Sequence, residues 1–150
     1  MSSHRASVRW SRRPSDTPFS YETFSRAHEV IFPGGLTLAA SSAPAFGGDA
    51  ALANPEEVLV GALSSCHMLT FLAICAKKGI AVDHYDDDAE GVLEKNEEGR
   101  LAVTRTTLRP KVTFGEGVRV DAEALRKLHE SAHRGCFIAA SVKTVVTVET

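Results

Sequence analysis

Short alternating stretches and one long uncharged run divide this chain. In residues 6–12, Val8 and Trp10 alternate with Ser and Arg, a two-residue period that predicts a strand. Residues 14–19 read as a turn or short linker, with Pro14 and Pro18 near its two ends. Residues 21–32 alternate again, with Phe24, Arg26, His28, Val30 and Phe32 on one side, and predict a second strand. Pro33-Gly34-Gly35 is a tight turn, and residues 36–40 form a short returning strand. Residues 41–53, rich in small side chains with Pro44, Gly47 and Gly48, read as a loop.

At Asn54 the pattern changes. Asn54 suits a helix cap, Pro55 the first helical position, and Glu57 the reciprocal capping position. Glu56 and Glu57 also place two carboxylates where the helix dipole favours them. Residues 58–76 contain no Asp, Glu, Lys or Arg, and Lys77-Lys78-Gly79 is a helix stop. The run is long enough for a membrane span. Ser64, Ser65, His67 and Thr70 interrupt it, however, and no aromatic belt flanks it. A core helix, covered in part by a second subunit, fits better.

Beyond Gly79, residues 80–94 predict a strand, Asn96-Glu97-Glu98-Gly99 a hairpin turn, and residues 101–114 its partner strand. Asp121 can cap a second helix over residues 122–133, closed by Gly135. Residues 136–141 form a turn, and residues 142–149 a last strand. Strand runs separated by one long helix and a second shorter one predict an α+β fold in a single domain over residues 1–150.

Composition narrows the function classes. Hydrophobic residues at 43% and charged residues at 24% fit a soluble globular chain rather than a disordered one. A net charge of −2 carries no nucleic-acid footprint, and no membrane partner is expected. The first residues, with Arg5, Arg9, Arg12 and Arg13 among serines, are compatible with a transit peptide. The alternation favours a strand with a basic edge, no secretory h-region is visible, and a cytoplasmic location is expected.

Three cysteines, Cys66, Cys75 and Cys136, do not look like a disulfide framework in a chain of this length. Cys75 between Ile74 and Ala76 reads as a core residue. Cys66 and Cys136 each neighbour a histidine and polar groups, which leaves three readings open: inert core thiols, metal ligands, or redox groups. Cys66-His67 with His133-x-x-Cys136 offers two sulfurs and two nitrogens to zinc. Adjacent residues on a helix point about 100° apart, so one of the first two would have to turn away. No metal or cofactor is expected.

Asn54-Pro55-Glu56-Glu57-Val58-Leu59, then Ser64-Ser65-Cys66-His67-Met68, then Ala132-His133-x-x-Cys136 form an ordered set. With Tyr21-x-x-Phe24-Ser25-Arg26-x-His28 and Gly47-Gly48-Asp49 upstream, the set resembles the OsmC/Ohr family of osmotically induced and organic-hydroperoxide-resistance proteins, in an OsmC-like branch. The resemblance runs over residues 8–149. It implies antiparallel sheets around a long central helix in an intertwined homodimer. It also implies a thiol peroxidase with a hydroperoxide substrate and an external dithiol reductant. By position, Cys66 would be the peroxidatic and Cys136 the resolving cysteine, Glu56 the catalytic glutamate and Arg26 the active-site arginine. A non-enzymatic redox sensor or a ligand-binding module on the same scaffold is the alternative.

Cys66 lies about three turns into its helix, beyond the reach of the dipole, so a thiolate there needs other help. Arg26 could fork donors toward sulfur and peroxide oxygen, with Glu56 holding the guanidinium. His67 and His133 read as structural histidines. Glu56 and Cys66 are ten residues apart on one predicted helix, about 15 Å along its axis. Either that helix breaks, or the glutamate of each site comes from a second copy of the chain.

Overall fold

The computed structural model describes residues 1–12 and 18–150, which form two compact units, Met1–Val58 and Leu59–Thr150. Most of the turn expected over residues 14–19 lies outside the described residues. In the first unit, β1 (Ser7–Arg9), β2 (His28–Ile31) and β3 (Thr37–Ala40) make an antiparallel sheet in that order. Gly35, at φ 84°, closes the turn between β2 and β3. The loop after β3 contains one 3-10 turn, Pro44–Phe46.

The strand expected from residue 21 begins only at His28. Side chains near Ser20 offer the backbone local partners instead of a ladder. Phe24 N–H donates to the Ser20 carbonyl at 3.0 Å, and Ser20 N–H to Thr23 Oγ1 at 3.1 Å. Alternation alone therefore overstated the strand.

The long helix, α1, spans Pro55–Lys77 without a break. Its start is the reciprocal cap read from the sequence: Glu57 N–H donates to Asn54 Oδ1 at 2.9 Å, and Asn54 N–H to Glu57 Oε2 at 3.0 Å. Only Leu63, His67, Phe71 and Cys75 are buried, a single i, i+4 stripe. Leu69, on another face, is 60% exposed, so one chain leaves much of this apolar helix uncovered.

In the second unit the hairpin is divided between two sheets. β4 (Val82–Asp87) pairs with β7 (Pro110–Phe114), while β5 (Glu90–Lys95) pairs with β6 (Leu101–Leu108). β8 (Val145–Val148) joins β6 in parallel, the exception in otherwise antiparallel sheets. The two expected long strands break opposite each other, between Asp87 and Glu90 and at Arg109. Pro110 has no N–H for a ladder, and the Asp87 carboxylate occupies the gap. Its Oδ1 accepts Arg109 N–H at 2.6 Å, and its Oδ2 accepts the Ser64 hydroxyl of α1 at 2.5 Å.

α2 spans Ala122–Gly135, with Asp121 Oδ1 accepting Ala124 N–H at 2.8 Å. Phe71 and Cys75 of α1 pack with Leu128 and Ala132 of α2 in the core of this unit. The turn expected after Gly135 contains a single helical turn, α3 (Phe137–Ala140).

Candidate active site

Two elements far apart in sequence bring Cys66 and Cys136 together. Cys66 stands on α1 about three turns beyond its start, one position from the buried stripe. Cys136 is extended (φ −77°, ψ 109°), ends α2 and caps α3. Its Sγ accepts Ala139 N–H at 3.4 Å. Ser, Thr, Asp and Asn are the usual helix caps; a cysteine here fills that role while presenting sulfur to α1. The two thiols lie close enough to shift each other's titration, and the Phe137 and Ile138 backbone lies near the Cys66 sulfur.

The two thiols are shifted in opposite directions. Burial pushes the Cys66 thiol up, but hydrogen bonds from Ile138 N–H, the Cys136 thiol and Phe137 N–H outweigh it and hold it below the usual cysteine value. Thr70 Oγ1 also lies near this sulfur, but its one proton goes to the Cys66 carbonyl at 2.8 Å, which leaves the amides and Cys136 as donors. For Cys136, burial raises the thiol, the Ala139 amide opposes this, and the neighbouring Cys66 raises it further. Of the two, Cys66 is therefore the more acidic thiol. Cys75, 1% exposed, is pushed up by burial and fits the core role read for it.

Gly135 and the histidines set this approach. Gly135 is the last residue of α2 and does not adopt positive φ. It serves close packing rather than a left-handed cap: a Cβ there would meet Thr70 Cγ2 at 2.9 Å. His67 and His129 are 1% and 2% exposed, and His67 Nε2 lies 3.0 Å from His129 Nδ1. Burial keeps both rings neutral, with values lowered to about 4; for His67, nearby His133 adds to the effect, and for His129, His67 does. The His67 ring turns toward α2's histidine while Cys66 turns toward Cys136, so these adjacent side chains diverge as helix geometry requires.

Arg26 and Glu56 belong to the other unit. Arg26 is held by its own segment: Nη1 donates to the Phe24 carbonyl at 2.7 Å and Nη2 to the Tyr21 carbonyl at 2.5 Å. Its guanidinium carbon lies 3.8 Å from the Phe24 ring centroid. It borders a cavity of about 380 Å³ with Val8, Trp10, Phe19, Phe24 and His28. Glu56 Oε2 is buried without a hydrogen-bond partner, and among the described residues no ion pair joins Glu56 to Arg26.

Sequence reading missed His129 and the two amides. His129 carried a signal, a polar residue beside Leu125, Leu128 and Ala132 on the apolar face of α2. The amides carried none, because any residue type supplies a backbone N–H.

Comparison with known proteins agrees with this architecture. Residues 47–150 match the family model described as OsmC-like protein. An OsmC-like protein of unknown function from Vibrio cholerae O1 biovar eltor is 43% identical, with 99% of each chain covered and a TM-score of 0.95. An organic hydroperoxide resistance protein OsmC from Legionella pneumophila shares the fold at 16% identity, with 99% of this chain and 95% of that chain covered and a TM-score of 0.73. OhrB, the organic hydroperoxide resistance protein of Bacillus subtilis, does so at 18% identity, with 98% and 96% covered and a TM-score of 0.68. The uncharacterized protein YmaD of Bacillus subtilis is 26% identical over 97 residues, 64% of this chain, and the match spans 64% of YmaD's own length. Proteins of this family are soluble and generally homodimeric. The helix-borne cysteine, the second cysteine after α2 and the sheets that frame them thus occur in a chain that belongs to the OsmC-like protein family.

Proposed function

We propose that this protein is a cytoplasmic thiol peroxidase that reduces organic hydroperoxides, with Cys66 as the peroxidatic and Cys136 as the resolving cysteine. The observation that carries it is the neighbouring pair of unlike thiols, with Cys136 placed at the cap of α3 beside Cys66 and the thiol lowered at Cys66 and raised at Cys136. The Cys66 thiolate attacks one peroxide oxygen and the O–O bond breaks. The alkoxide leaves, takes up a proton and departs as an alcohol, and Cys66 is left as a sulfenic acid. Cys136 sulfur then attacks Cys66 sulfur, and water leaves as the disulfide forms. An external dithiol returns both thiols by exchange.

In this reading Arg26 stabilises the departing oxygen and Glu56 orients the guanidinium. Three observations support a homodimer that completes the site. The helix between Glu56 and Cys66 is unbroken, Glu56 Oε2 lacks a partner, and much of α1 is uncovered in one chain. The apolar walls beside Arg26 suit an organic peroxide better than hydrogen peroxide. The two units together then form one OsmC-like domain, as the full-length likeness to the Vibrio protein suggests. The test is steady-state reduction of cumene hydroperoxide and hydrogen peroxide with a dithiol, for wild type, Cys66→Ser and Cys75→Ser. Turnover should vanish in Cys66→Ser and persist in Cys75→Ser. Equal loss in both, or a wild type that reacts once and does not turn over, contradicts the reading and favours a sensor.

A further inference from the structure

We propose that His67 and His129 are positioning residues for disulfide formation, their buried hydrogen bond holding α1 and α2 so that Cys136 can reach Cys66. The inference rests on Cys66 and Cys136 acting as a redox pair, but not on the nature of the oxidant.

Among the described residues, the 3.0 Å contact between His67 Nε2 and His129 Nδ1 is the one side-chain hydrogen bond that joins α1 to α2. It lies beside both thiols in the chain. His67 follows Cys66 directly, and His129 precedes Cys136 by seven residues, two turns on the same face of α2. A second attachment is the Gly135–Thr70 contact, six residues further along α2, about 9 Å by helix rise. Two separated contacts prevent α2 from pivoting about either one. Of these two, only the hydrogen bond is directional, so it sets the axial register.

The bond also constrains its own chemistry. One facing nitrogen must carry a proton and the other must be bare, so the two neutral rings share one tautomer, both protonated at Nε2 or both at Nδ1. Phe71, fully buried, stacks on His129 with centroids 4.3 Å apart and holds the ring's orientation. A disulfide needs its Cα atoms about 4.4–6.8 Å apart. Losing the helix register by even about 1 Å can slow such a reaction about a hundred-fold.

The test uses full-length reduced protein in glutathione redox buffers, with no peroxide present. Cys66 thiolate attacks one sulfur of oxidised glutathione, breaking its S–S bond and releasing one reduced glutathione. Cys136 then attacks the mixed disulfide at Cys66 and releases a second. Two electrons pass from the protein thiols to glutathione, and the two thiol protons end on the released glutathione thiols. The ratio of Cys66–Cys136 disulfide to mixed disulfide reports the effective concentration of Cys136 at Cys66. His129→Phe, which keeps a ring but no nitrogen, should lower it about ten-fold to a hundred-fold. His129→Asn, which returns a polar atom near the Nδ1 position, should restore most of it. A role confined to stability would lower the urea midpoint of both variants and leave the ratio unchanged in the folded fraction.

An unchanged ratio in a folded His129→Phe protein overturns the proposal. So does equal loss in the Phe and Asn variants. Should His129→Phe not fold, nitrogen NMR of the wild type decides: scalar coupling between the facing imidazole nitrogens should appear in the reduced and the oxidised protein. Its absence in either state overturns the proposal. Failure of peroxidase turnover with a normal glutathione result would sink the proposed function and leave this inference standing.

Discussion

Gly135 of α2 lies so close to Thr70 of α1 that a side-chain carbon built on it would stand 2.9 Å from Thr70 Cγ2. Thr70 cannot simply rotate away, because its hydroxyl is committed to the Cys66 carbonyl at 2.8 Å. Gly135→Ala therefore sets two effects against each other. Alanine gains about 1 kcal/mol of helix propensity, while overpacking a tight contact costs about 1–3 kcal/mol. The contact should win, so Gly135→Ala should lower stability and slow disulfide formation. Urea denaturation and the rate of thiol loss after oxidation measure the two effects. A more stable variant with unchanged oxidation would show that the helices yield at no cost.

Oxidation with one equivalent of organic hydroperoxide should produce an intramolecular Cys66–Cys136 disulfide. Cys75, buried and with a raised thiol, should stay reduced. Peptide mapping by mass spectrometry reads the product. A persistent Cys66 sulfenic acid, or a link between chains, contradicts the pairing.

Glu56 and Cys66 should act from different chains. Each of Glu56→Ala and Cys66→Ser should be inactive alone, and a heterodimer of the two should regain activity, since one of its sites is intact. If proven heterodimers stay inactive, both residues serve one site from one chain.

Acid should destabilise the protein through the histidine pair. Both folded-state values, about 4, lie below the ordinary 6.5, because burial disfavours the cation. As pH falls below about 6.5 the unfolded chain takes up these protons first, so stability is lost progressively until about pH 4. One ring contributes on the order of 3 kcal/mol. Urea midpoints measured from pH 7.5 to 4 should fall, and His129→Asn should flatten the fall. An equal slope in that variant would assign the acid sensitivity to other groups.

The sequence by itself determined whatever depends on neighbours along the chain. Asn54 and Glu57 cap α1 across three residues, and Asp121 caps α2 in the same way. Lys77 and Gly79 end α1 where the apolar run stops. These signals were legible because capping and turn preferences are local. The ordered motif set likewise pointed to the family and to Cys66, Cys136, Glu56 and Arg26 as candidates.

Only the tertiary structure decided where long-range partners lie. Alternation could not show that residues 80–94 and 101–114 split between two sheets, because a side-chain period is blind to the partner strand. The split depends on Asp87 reaching both Arg109 and Ser64, at separations of 22 and 23 residues. Cys66 and Cys136 were visible as candidates, but their unlike thiols depend on amides at Phe137 and Ile138 that composition cannot reveal. His129 looked like any helix histidine until α1 placed His67 against it, 62 residues away. Local propensity selects the elements, while burial and hydrogen bonding between distant segments select which side chains meet, and that meeting sets the chemistry of the two cysteines.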